Sequence, residues 1–128
     1  MNEITMGASL SVSKGGVSVA QSSVGQIGWS GIDISDVTQT IGFSAYEEID
    51  SLTLLGEQAS LGAILIKNLD STNYVELALH ANGTNKFAKI KAGGVLLMES
   101  GINPESDQVI WAKANTGAVQ IEVTATTA

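Results

Sequence analysis

The stretch ILIKNLDSTNYVELALHANGTNKFAKIKAGG, Ile64 to Gly94, decides the fold of this chain. Its apolar residues recur at every second position in short runs, and Asn, Asp and Gly separate the runs. A period of two belongs to strands with one buried face, and Asn, Asp and Gly supply the turns between them. The hairpin inside the stretch admits a register test. A loop of Asn82 to Asn85 sets Leu79 against Ala88, Leu77 against Ile90 and Val75 against Ala92, which is one wholly apolar face. The opposite face then pairs Glu76 with Lys91 and His80 with Phe87. A two-residue Asn-Gly loop would set Leu79 against Lys86, so the apolar side selects the longer loop.

Outward from this hairpin the same period continues. On the N-terminal side, Leu10 and Val12 alternate with serines, Lys14-Gly15-Gly16 intervenes, and Val17 and Val19 alternate again. That is a hairpin signature, with glycines able to take positive φ in a tight turn. The glycine-dotted SSVGQIGWSGIDISDVTQT fits neither a period of two nor one of 3.6 and is expected to be an irregular or extended arm. IGFSAYEEI adds a short strand. From Ser51 on, strands are expected at Leu52–Leu55, Ala63–Lys67, Asn73–Ala81, Lys86–Lys91, Val95–Glu99, Val109–Ala114 and Val119–Thr124. Turn residues divide them: Gly56, Asn68-Leu69-Asp70, Asn82-Gly83, Gly93-Gly94, Asn103-Pro104 and Asn115-Thr116-Gly117. The nearest approach to a helical pattern, EEIDSLTLLGEQ, has β-branched and turn neighbours that favour strand.

Many short strands without intervening helices predict an all-β chain, an antiparallel β-sandwich of jelly-roll-like type with an irregular N-terminal arm or hairpin. With 128 residues the chain is expected to be a single domain, 1–45 forming the hairpin and extended arm and 46–128 the sandwich core. A chain of this length can close one core without disulfides, and it has no cysteine.

The net charge is −7, from 13 acids against 6 lysines and no arginine, which argues against a nucleic-acid partner. Residues 1–60 hold seven acids and only Lys14, whereas residues 61–128 hold six acids and five lysines. The excess is read first as a solvated surface, with an acidic arm meeting a basic partner as the sharper alternative. The polar start MNEITMGAS has no apolar leader core, and runs such as Ala63 to Ile66 are far short of the ~20 residues that span a bilayer. Synthesis in the cytoplasm, with no membrane partner, is the expectation.

Reactive groups are sparse. His80 is the one histidine and has no serine, cysteine or second histidine nearby in sequence to work with. Asn68, Asp70 and Asn73 raise the question of calcium, but calcium takes six to eight oxygens with several carboxylates and the loop offers one, so an Asx turn explains it better. Glu47, Glu48 and Asp50 read as a solvated acidic face. The glycine pairs do not precede helices, so no phosphate cradle is expected. Trp111 reads as a core or rim aromatic. No catalytic residue, cofactor or metal is expected, and the chain is not read as an enzyme.

AILIKNLDSTNYV, then KIKAGGVLLM, then IWAKANTGAVQIEVTATTA together resemble small virion structural proteins of tailed bacteriophages. LSVSKGGVSVAQSSVGQIGWSG and TQTIGFSAYEEI are similar to the same group, so the resemblance covers most of the chain. The turn Lys91-Ala92-Gly93-Gly94 is slightly longer than the group's usual version. The resemblance implies a non-enzymatic capsid decoration or cement protein on the outer shell, a homotrimer whose partner is the major capsid protein or another virion protein. A tail, collar or baseplate part is the alternative, and a carbohydrate-binding sandwich a more distant one that needs exposed, coplanar Trp29 or Trp111. Ile27, Trp29, Phe43 and Tyr46 are the candidate interface residues, because buried aromatic and aliphatic anchors dominate interfaces.

Overall fold

The computed structural model describes residues 2–29, 34–49, 61–99 and 110–127. Among these residues there are ten strands and no helix, and every strand pairing is antiparallel. The chain is all-β. It divides into two compact units, Met1–Ile32 and Asp33–Ala128.

The first unit is a hairpin of β1 (Asn2–Lys14) and β2 (Val17–Trp29). Gly15 and Gly16 take φ of 60° and 82°, the two consecutive positive values that a type I′ hairpin turn requires. The register then runs without a shift from Lys14↔Val17 to Asn2↔Trp29. The hairpin expected from the sequence is present and longer than expected. Gly25 and Gly28, which obscured the period, sit inside β2.

The second unit holds β3 (Ile34–Ile41), β4 (Glu47–Glu48), β5 (Leu61–Asn68), β6 (Val75–Ala78), β7 (Lys86–Ile90), β8 (Val95–Glu99), β9 (Trp111–Ala114) and β10 (Val119–Thr127). They form two four-stranded sheets, β3-β10-β5-β8 and β4-β9-β6-β7. The pairing is nested: first strand with last, second with second-last, and so inward to the β6–β7 hairpin. Residues 34–41, placed by the sequence reading in an N-terminal arm ending at 45, instead pair along β10 from Ile41↔Val119 to Ile34↔Thr126. The division between units therefore falls at Ile32/Asp33.

Alternation builds the core. Val119, Ile121, Val123 and Ala125 of β10 face inward beside Ile64 and Ile66 of β5, and Leu96 and Met98 of β8 pack against them. Val75 and Leu77 of β6, Ala112 and Ala114 of β9, and Ile90 of β7 supply the other layer of the same cluster. Ile41, Ile49 and Ile110 close it, each at most 1% exposed. The outward residues of the first sheet are polar or partly exposed, as in the half-exposed Lys67–Glu122 pair at 3.2 Å. Such a pair is worth about 1 kcal/mol at most, so stability resides in the buried layer.

The β6–β7 register differs from the expected one by two residues. Val75 faces Ile90, Glu76 faces Lys89 and Leu77 faces Ala88, with a shift between Leu77 and Ala78. The loop is wider than four residues: Leu79 N–H donates to Asn85 O at 3.3 Å and Gly83 N–H to His80 O at 2.9 Å. Gly83 and Asn85 take φ of 79° and 59°, so they absorb the extra chain. A slip of two preserves which side each residue faces, so Leu77 and Ile90 still reach the core while Leu79 is only half-buried. The expected strand Leu52–Leu55, the Gly56 and Asn103-Pro104 turns, and Asp50 lie outside the described residues.

Candidate interaction surfaces

The polar loop residues at the end of β5 serve the fold. Asn68 is 2% exposed, and its Nδ2 donates to Asn73 O at 2.9 Å and Ile90 O at 3.1 Å. Its Oδ1 accepts from Asp70 N–H at 2.9 Å. Asp70 Oδ1 in turn accepts from Thr72 N–H at 2.7 Å and Asn73 N–H at 2.6 Å. Thr116 Oγ1 donates to Asn73 Oδ1, and Tyr74 N–H donates to Asn115 Oδ1, joining this loop to the β9–β10 turn. The Asx-turn reading holds for Asn68 and Asp70, whose side-chain oxygens accept backbone amides, while the Asn73 oxygen accepts the Thr116 hydroxyl.

Those two backbone N–H donors hold the Asp70 carboxyl below the usual aspartate value. A depressed folded pKa contributes stability above the unfolded value of about 3.9 and loses it as pH falls towards the folded one. Asp70→Asn keeps the acceptor without the titration. The variant is expected to lose less urea-midpoint stability than the parent between about pH 5 and pH 2.5. Equal losses in both chains would remove this assignment.

Glu47 and Glu48 of β4 are half-buried. Glu47 Oε2 accepts the Gly42 N–H, and the Glu48 carbonyl accepts from Gln39 Nε2 at 3.0 Å. Among the described residues no group of His, Asp and Glu is arranged to hold a metal ion, and no helix is long and apolar enough to cross a membrane.

The outer face of β4-β9-β6-β7 gathers the aromatic and basic side chains. Glu76 lies between Lys89 of β7 and Lys113 of β9 in the register. Its carboxylate accepts from Tyr46 Oη at 3.0 Å and pairs with Lys86 Nζ at 3.5 Å. Lys113 Nζ stands 5.7 Å from the centre of the Tyr46 ring, and Lys89 Nζ stands 4.3 Å from that of Tyr74. Partial burial, then the hydrogen bond and charge of Glu76, raise the Tyr46 phenol above its ordinary value. The Glu76 charge, then Tyr46, raises Lys86. Three lysines thus surround one carboxylate on this face, in a chain of net charge −7.

Tyr46 is fixed from the far side by a glycine. A Cβ on Gly83 would lie 2.4 Å from Tyr46 Cε2, and Gly83 has φ of 79°. Gly83→Ala adds backbone strain and must expel the ring, so a loss of about 1–3 kcal/mol is expected in urea unfolding. Gly83→Ala combined with Tyr46→Ala should recover part of it. No recovery would mean that the ring contact is unimportant.

The other candidate surface is the β1–β2 ribbon. Its register places Ile27 opposite Ile4 and Trp29 opposite Asn2. Leu10 and Val19 are 68% and 54% exposed. Of the four interface candidates, Ile27 and Trp29 belong to this ribbon, while Phe43, 50% exposed, and Tyr46 belong to the larger unit. Phe43 lies in the turn between β3 and β4 and offers a free aromatic; Tyr46 is half-buried and engaged by Glu76 and Gly83. Trp111 is half-buried at the rim, its Nε1 enclosed without a hydrogen-bond partner. The Tyr46–Glu76–Lys86 constellation joins three separate elements and has no local sequence pattern; only the outward position of Glu76 was open to sequence reasoning.

Compared with known proteins, the chain matches no family, no curated protein and no solved structure.

Proposed function

We propose that this chain is a non-enzymatic structural protein of a tailed-phage virion, a capsid decoration or cement protein that binds the outer shell as a homotrimer. The observation that carries the reading is the ribbon. Thirteen register pairs form a two-stranded arm, roughly 40 Å long at ~3.3 Å per residue, with Leu10 and Val19 left in water. A two-stranded ribbon is marginal by itself, so such an arm is a part that functions against other chains.

The second unit supports the reading by analogy of fold. The nested order of its eight strands is the order of a jelly roll, and we infer that architecture for it. Jelly rolls serve viral shells, lectins and enzymes alike, so the analogy is weaker than the ribbon. The outer face of the second sheet does not resemble a sugar platform, because Lys89 and Lys113 cover the Tyr74 and Tyr46 rings. Repeated placement on a lattice requires only modest affinity at each contact.

Purified protein added to shells that lack it, followed by imaging, tests the reading. Density at regular positions on the shell is the expected result. Bare shells, together with recovery of the chain in the tail fraction of disrupted particles, would transfer it to the tail, collar or baseplate.

A further inference from the structure

The ribbon's own sequence and register name what completes it. Its two outer edges are free among the described residues, since the sheet has no third strand. Exposed edges are normally blunted by charges, proline or a bulge. Here the register has no shift, residues 2–29 contain no proline, and the only charges are Glu3 and Lys14 near the ends.

The two faces also differ. The register places Ala8 opposite Ser23 and Leu10 opposite Gln21 on one face, which Val19 shares. The other carries Ser9 with Ser22, Ser11 with Ala20 and Ser13 with Ser18. The second set suits water; the first mixes small and large residues, as the interior of a narrow barrel does.

Charge selects the occupant. Residues 1–32 hold one acid and one lysine, so the whole net charge of −7 resides in residues 33–128. Copies of this chain repel one another through the larger unit and can meet at the neutral ribbon.

We propose that the ribbons of three copies close edge to edge into a six-stranded β-barrel, with the Ala8, Leu10 and Val19 face inside and the serine face outside. A threefold axis along the ribbon brings β2 of one copy beside β1 of the next, so each new ladder is antiparallel. Every edge is then paired. Two ribbons give four strands, too few to close. This deepens the trimer component of the proposed function and rests on that reading only there.

Sedimentation and light scattering of the full chain without shells test it. The expected mass is three times the 13.2 kDa of one chain. Leu10→Asp and Val19→Asp should each reduce it threefold while leaving the urea transition of the larger unit in place. Because the chain has no cysteine, single replacements report proximity. Oxidised Leu10→Cys should form a disulfide-linked pair of chains near the axis, and Ser9→Cys should not. A wild-type mass of one or two chains, a trimer that survives Leu10→Asp, or cross-linking through Ser9→Cys alone would overturn the proposal. A chain that trimerises yet leaves shells bare would retain it and sink the capsid reading instead.

Discussion

Leu77→Ala is expected to lower the unfolding free energy of the sandwich by about 2–5 kcal/mol, towards the upper end, in equilibrium urea unfolding. Leu77 is fully buried in β6 and has Ala88 of β7 and Ala112 of β9 as its cross-strand partners. Both neighbours are small. The leucine side chain therefore fills the space above three strands, and truncating it leaves no large side chain on either side to move in. The backbone cannot collapse easily either, because β6 is hydrogen-bonded along both edges. Cavity cost then adds to the lost transfer energy. Leu77→Met, which conserves volume, should cost less than about 1.5 kcal/mol. Lys67→Ala, on the exposed face, should cost at most about 1 kcal/mol. If Leu77→Ala and Lys67→Ala prove equal, the inner face of β6 is not a packed layer.

The parts legible in the sequence were those set by local chemistry. Gly15-Gly16 between two alternating runs specifies a tight turn whatever lies elsewhere, and Asn68-Leu69-Asp70 specifies a corner through short-range hydrogen bonds. Alternation in β5, β6 and β10 showed the core because period two is a property of the strand itself. What escaped depends on distant partners. In β3, Val37 and Ile41 alternate with polar residues, but its place in the sheet comes from β10 at the far end of the chain. The two-residue slip in the β6–β7 register came from the Leu77/Ala78 irregularity and the positive φ of Asn85, neither of which has a pattern in an apolar–polar string. Of the surface residues, Glu76 was visible as an outward position. Its convergence with Tyr46 was not, since Tyr46 is positioned by Gly83 across the fold. Phe43, an interface candidate within the expected short strand IGFSAYEEI, lies instead in the turn between β3 and β4, and there it is exposed.

Asn68→Leu is expected to cost about 3 kcal/mol through the opposite mechanism, since it keeps the volume and removes the hydrogen bonds. Asn68 stands where β5 leaves one sheet and the chain crosses to β6 in the other. Its amide bonds Ile90 O at the end of β7 and Asn73 O before β6, so one side chain ties both strands of the second sheet to the corner. The leucine would leave those carbonyls and the Asp70 N–H without partners, and the bond to Ile90 O is in the buried region where water is excluded. Asn68→Asp separates donor from acceptor. It keeps the oxygen that accepts from Asp70 N–H, but at neutral pH it turns the amide donor into a carboxylate facing two carbonyl oxygens. That chain should be less stable at pH 7 than Asn68→Leu, because an unpaired buried charge costs more than a missing bond. Its folded-state pKa would be raised, so stability should return as pH falls through that value and the protonated carboxyl becomes a donor. A urea-midpoint series from pH 7 to about pH 4.5 reads both effects. If Asn68→Asp weakens further as the solution is acidified, or equals the parent at neutral pH, the amide of Asn68 is not the tie between the sheets.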